Sequence, residues 1–204
     1  MRPATPDHLG DPVHHVSVWN IANLLTLVRL ALVPVFAAAL FHDGGHSTPW
    51  RWTAFAVFAV ASGTDLVDGE VARRRGLVTS FGKIADPIAD KALMGTALVG
   101  LSVLGELPWW VTTVVLVREV GVTILRFWVI RRGVIPASRG GKVKTLLQAV
   151  AIGLYVAPLS GWLRDLSAVV LAVAVVVTVA TGADYVSRAL ALRRTGPVAH
   201  QAGG

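Results

Sequence analysis

The chain has 204 residues, 54% of them hydrophobic and only 15% charged, with a mean hydropathy of +0.63 and a net charge of +7. That balance excludes an ordinary soluble domain and fits a single membrane-embedded unit. The absence of cysteine excludes disulfides and thiolate metal sites, and the basic surplus reads as arginines flanking membrane spans, not as a nucleic-acid surface.

Residues 1–18 hold Asp7, Asp11, Pro3, Pro6, Pro12 and three histidines without an apolar core. They predict a loosely ordered cytoplasmic start and not a signal peptide. Six apolar runs follow, near 21–41, 50–72, 84–105, 108–131, 143–161 and 164–190, each close to the ~20 residues a helix needs to cross a bilayer. Turn signals such as HDGGHSTP, GELP and SRGG separate them. The expected fold is an all-α integral membrane protein with six transmembrane helices over 19–192, without internal repeat, followed by a disordered cytoplasmic tail at 193–204.

In span one, Asn23 and Thr26 are three apart and share a face near the cytoplasmic end. Helix capping or hydrogen bonding across the bundle competes there with contact to a lipid nucleotide. Arg29 follows in the same span, where pairing or snorkelling competes with a substrate role.

Between spans two and three lies DLVDGEVARRRGLVTSFGKIADPIAD, residues 65–90, which concentrates carboxylates, glycines and arginines in a chain poor in charge. Asp65 and Asp68 are three apart and Asp86 and Asp90 four apart, so on helices each pair projects from one face. Four carboxylates directed at one point repel unless a cation sits among them, and oxygen-only ligands suit magnesium or manganese. Gly69 and Ala72 provide a small-residue floor, and Arg73 carries a guanidinium suited to phosphate. Together these suggest phosphoryl transfer; the competing reading is a set of solvated charges at two helix ends. Pro87 either occupies the first turn of span three or kinks it, and a helix start beside Asp86 would offer open amides to an anion.

Span four carries Arg118, Glu119 and Arg126, of which Arg118 and Glu119 either neutralise each other or their neighbours, or serve a substrate. Lys91 in span three and Asp184 in span six are read like Arg29. Lys142 and Lys144 enter span five where a phosphorylated, water-soluble substrate arrives, against the alternative of ordinary flanking charge. The tryptophans, among them Trp19, Trp50, Trp52, Trp109, Trp110 and Trp162, fall mostly at span ends as an interfacial belt. Basic residues gather between spans two and three, between four and five, and after six, while the remaining loops carry only Arg51 and Arg164. The positive-inside rule therefore places both termini and the aspartate stretch on the cytoplasmic side of the cell membrane.

The spacing of Asp65, Asp68, Gly69, Ala72, Arg73, Gly82, Asp86 and Asp90 resembles the gapped signature of the CDP-alcohol phosphotransferase family. NIANLLTLVRLALVPVF, FGKIADPIADK and REVGVTILR followed by GGKVKTLLQ are most similar to its members that join CDP-diacylglycerol to glycerol 3-phosphate. The resemblance implies a six-helix membrane enzyme, usually a homodimer, with a Mg2+ or Mn2+ site formed by Asp65, Asp68, Asp86 and Asp90. It further implies that Asp90 is the general base and that Gly69, Arg73 and Thr79 contact the cytidine diphosphate. Arg118, Lys142 and Lys144 are the candidates for the acceptor phosphate, and Glu70 departs from the usual aromatic or aliphatic residue. Two rivals keep the donor and change the acceptor, to phosphatidylglycerol or inositol phosphate; the DPxADK ending favours glycerol phosphate by resemblance. A small transporter is the non-enzymatic rival, disfavoured because the carboxylates gather at one interface and no second acidic pair matches them.

Overall fold

The computed structural model describes residues 21–75, 80–130 and 139–194; residues 1–20, 76–79, 131–138 and 195–204 lie outside the described residues. The described residues form six α-helices and one short 3₁₀ turn: α1 Ile21–Phe41, the turn His42–Gly45, α2 Thr48–Arg75, α3 Ser80–Val103, α4 Trp109–Ile130, α5 Arg139–Val156 and α6 Trp162–Arg194. No strand occurs among the described residues, as expected where lipid forces each segment to satisfy its own backbone. Two stretches, Leu24–Gly45 and Trp162–Ala191, are long and apolar enough to cross a membrane.

Packing follows side-chain size. α1 lies against α2 and α3, α6 lies against α4 and α5, and α3 joins the two groups by touching α4 and α5. Phe36 and Leu40 of α1, Phe58 of α2, Leu93, Leu98 and Leu101 of α3, and Ile152 and Val156 of α5 form the fully buried centre. Small residues let the backbones close in: a Cβ on Gly100 would stand 2.6 Å from Leu40 Cδ2, and one on Gly182 would stand 3.0 Å from Arg118 Cγ. Outside, Val117, Ile124, Val143, Val169, Val176 and Trp162 are exposed. Water would penalise such an apolar circumference, whereas lipid tails accept it.

At the end of the bundle away from the aspartate stretch, Gly105 adopts φ 74° and closes α3. Its amide bonds Ser102 O at 3.1 Å and that of Glu106 bonds Leu101 O at 2.9 Å, the paired bonds of a Schellman cap. The cap delivers Glu106 to Arg51, whose Nη1 and Nη2 both reach the carboxylate. Arg51 also donates to Val156 O at 2.9 Å and Tyr155 O at 2.8 Å, capping the last carbonyls of α5. Arg164 adds a 3.2 Å bond to Glu106 and stacks 4.4 Å from the Tyr155 ring centroid. The start of α2, the α3–α4 turn, the end of α5 and the start of α6 thus meet at one end, so the chain alternates up and down.

One expectation is corrected. α3 begins at Ser80, several residues before Pro87, so the proline lies inside the helix and not in its first turn. The carbonyl of Lys83 loses its usual donor there, and no helix start opens beside Asp86.

Candidate active site

Both aspartate pairs lie on helices. α2 carries Asp65, Asp68, Gly69 and Arg73 in its last turns before Arg75, and α3 carries Asp86 and Asp90 in its first turns. With 3.6 residues per turn, Asp65 and Asp68 share one face of α2, as Asp86 and Asp90 share one face of α3. The two helices are neighbours. The side chains of Asp65, Asp68, Gly69, Arg73 and Asp86 lie outside the described residues, as does Thr79 altogether. From α1, Arg29 is buried and its Nε donates to Ala61 O at 3.2 Å, one turn before Asp65. Thr26 is also buried on α1, whereas the side chain of Asn23 lies outside the described residues.

Asp90 opens onto a cavity of about 120 Å³ between α3, α4 and α5. Polar groups line it on three sides: Asp90 and Lys91 from α3, Glu119 from α4, and Lys144, Thr145 and Gln148 from α5. Met94, Leu98, Leu116 and Val120 supply its apolar wall. Glu119 is the hub, accepting from Lys91 Nζ at 3.3 Å, from Arg118 Nη1 at 3.1 Å and from Lys144 Nζ. Lys144 is 4% exposed, so its charge depends on that carboxylate.

Of the three residues expected at an acceptor phosphate, Lys144 lines this cavity and the side chain of Lys142 lies outside the described residues. Arg118 reaches the other way, bonding Thr178 O at 3.2 Å and Thr181 Oγ1 at 3.0 Å on α6. Its remaining Nη1 contact with Glu119 ties α6 to the cavity wall. Lys91 pairs with Glu119, one of the alternatives open for it, while Asp184 makes an exposed bond to Arg188 on the next turn of α6. Gln148 went unnoticed in the sequence, although its spacing of four from Lys144 puts both on one face of α5.

Residues 19–180 match the family described as CDP-alcohol phosphatidyltransferase. The chain is 61% identical over 181 residues to the "Probable phosphatidylglycerophosphate synthase" of Mycobacterium tuberculosis (strain ATCC 25618 / H37Rv), covering 89% of this chain and 87% of that one. It is 37% identical over 184 residues to the CDP-diacylglycerol–glycerol-3-phosphate 3-phosphatidyltransferase of Bacillus subtilis (strain 168), covering 84% of this chain and 95% of that one. The Escherichia coli (strain K12) protein of the same name is 35% identical over 182 residues, covering 85% and 96%.

Proposed function

The chain belongs to the CDP-alcohol phosphatidyltransferase family, and we propose that it transfers the phosphatidyl group of CDP-diacylglycerol to glycerol 3-phosphate, giving phosphatidylglycerophosphate and CMP. The observation that carries the chemistry is the pair of aspartate pairs on adjacent helices at one end of the bundle. The choice of acceptor rests on the relatives' names. All six helices span the cell membrane in this reading, with both termini and the aspartates cytoplasmic, and the protein is a homodimer.

Asp65, Asp68, Asp86 and Asp90 form an all-oxygen donor set that fits Mg2+ or Mn2+, and they are the residues that would hold it. The cation, when bound, neutralises the diphosphate of the donor and eases departure of CMP. Gly69, Arg73 and Thr79 hold the cytidine diphosphate portion, with Asn23 and Thr26 facing the lipid nucleotide from α1. Lys142, Lys144 and Arg118 attract the acceptor phosphate, Lys144 from the cavity wall. Asp90 takes the proton of the acceptor hydroxyl, the freed oxygen attacks the phosphorus bearing diacylglycerol, and the bond from that phosphorus to CMP breaks. Positioning and charge neutralisation supply most of the rate.

The test is CMP release by the purified protein with CDP-diacylglycerol and magnesium, offering glycerol 3-phosphate, phosphatidylglycerol, inositol phosphate or no acceptor. Release is expected with glycerol 3-phosphate alone, and Asp90→Asn is expected to abolish it. Release with another acceptor would reassign the substrate, and substantial turnover by Asp90→Asn would remove its role as base.

A further inference from the structure

Gln148 is 5% exposed on the cavity wall, and its Oε1 has no hydrogen-bond partner among the described residues. A buried, unpaired acceptor is costly, and a donor bound in the cavity would recover that cost. The groups around it narrow what that is. Lys91 and Lys144 line the cavity beside the carboxylate of Glu119, and their ammonium groups are donors suited to a phosphate monoester. Asp90 stands at the same cavity. The cavity, of about 120 Å³, is well above the roughly 10–15 Å³ that one water needs and is of a size for a small polar molecule.

We propose that this cavity seats the acceptor and that Gln148 Oε1 accepts a hydrogen bond from the glycerol 3-phosphate hydroxyl that does not react. The inference rests on the activity proposed above and assigns its specificity. Three chemically distinct groups are needed to orient a glycerol phosphate, and the cavity offers one for each. Lys91 and Lys144 meet the phosphate, Asp90 meets the attacking hydroxyl, and Gln148, one turn along α5 from Lys144, meets the middle hydroxyl. Met94, Leu98 and Leu116 line the apolar side, toward the carbon skeleton.

The experiment compares glycerol 3-phosphate with 3-hydroxypropyl phosphate, which lacks only the middle hydroxyl, in CMP release by the full-length protein. The parent is expected to favour glycerol 3-phosphate by about tenfold or more in kcat/KM, because the analogue leaves Oε1 unpaired. Gln148→Met, close in shape but without the acceptor atom, should lose most of that preference, falling with glycerol 3-phosphate far more than with the analogue. Gln148→Glu keeps an acceptor oxygen and should retain the preference. Equal losses with both acceptors in Gln148→Met would mark a packing role and overturn the inference. A parent enzyme that uses both acceptors alike overturns it without any variant. Failure of glycerol 3-phosphate to elicit CMP at all would overturn the proposed activity and the inference together, whereas release without discrimination would overturn the inference alone.

Discussion

Because Lys144 is almost wholly buried against Glu119, removing the negative charge leaves an ammonium with no compensation in a low-dielectric site. Breaking one partner of such a buried pair costs about 3–5 kcal/mol. Glu119→Gln should therefore lower the thermal unfolding midpoint and, by letting Lys91 and Lys144 drift, raise the KM for glycerol 3-phosphate several-fold while leaving that for CDP-diacylglycerol nearly unchanged. Unfolding measurements beside steady-state kinetics decide it; an unaltered midpoint and an unaltered KM would mean that the carboxylate does not organise the cavity. The sequence shows Arg118 and Glu119 as neighbours, and that pairing is real at 3.1 Å. It could not show that Lys91 and Lys144, distant along the chain, converge on the same carboxylate, because convergence depends on α3, α4 and α5 meeting. Charge within an apolar span signals importance, but its partner is set by packing.

The six apolar runs correspond one to one with the six helices, yet the helices extend past several run ends. α3 starts at Ser80 where the apolar run starts near 84, and α5 starts at Arg139 where the run starts near 143. Hydropathy marks the apolar length alone, while the hydrogen-bond ladder continues through the polar residues that flank it. The earlier start puts Pro87 beyond the first turn of α3, and Asp86 and Asp90, both inside the helix, share a face. Which glycines permit close approach was not legible, since spacing alone does not name the facing helix. The structure separates two of them. A methyl at Gly100 would stand 2.6 Å from Leu40 Cδ2, a fully buried side chain, and 3.4 Å from Phe41 Cζ. At Gly153 the nearest atom, Phe58 Cε1, is 3.6 Å away, an ordinary contact. Gly100→Ala should destabilise by about 1–3 kcal/mol through overpacking between α1 and α3. Gly153→Ala should be neutral or gain up to about 1 kcal/mol from reduced backbone freedom. Unfolding curves in one detergent compare them, and equal effects would refute the difference in packing.

Across the molecule, charge divides between two ends that do different work. The end carrying the aspartates also carries Arg73, Arg74 and Arg75 on α2, Lys83 on α3, and Arg139, Lys142 and Lys144 on α5. The opposite end has Arg51 and Arg164, both bonded to Glu106. In the sequence those two arginines are a small remainder in the loop count. In the fold, Arg51 is 4% exposed and ties α2 to the end of α5. The proposed orientation rests on the bias of lysine and arginine in the short loops. The absence of native cysteine makes it testable with single substitutions. Ser160 lies exposed between α5 and α6 at the clamped end, and Ser138 immediately precedes Arg139 in the sequence. With the proposed orientation, Ser160→Cys reacts with a membrane-impermeant maleimide in intact cells, and Ser138→Cys reacts only after permeabilisation. The reverse pattern would put the aspartates outside, away from a cytoplasmic supply of glycerol 3-phosphate, and the membrane orientation proposed for the enzyme would have to be abandoned.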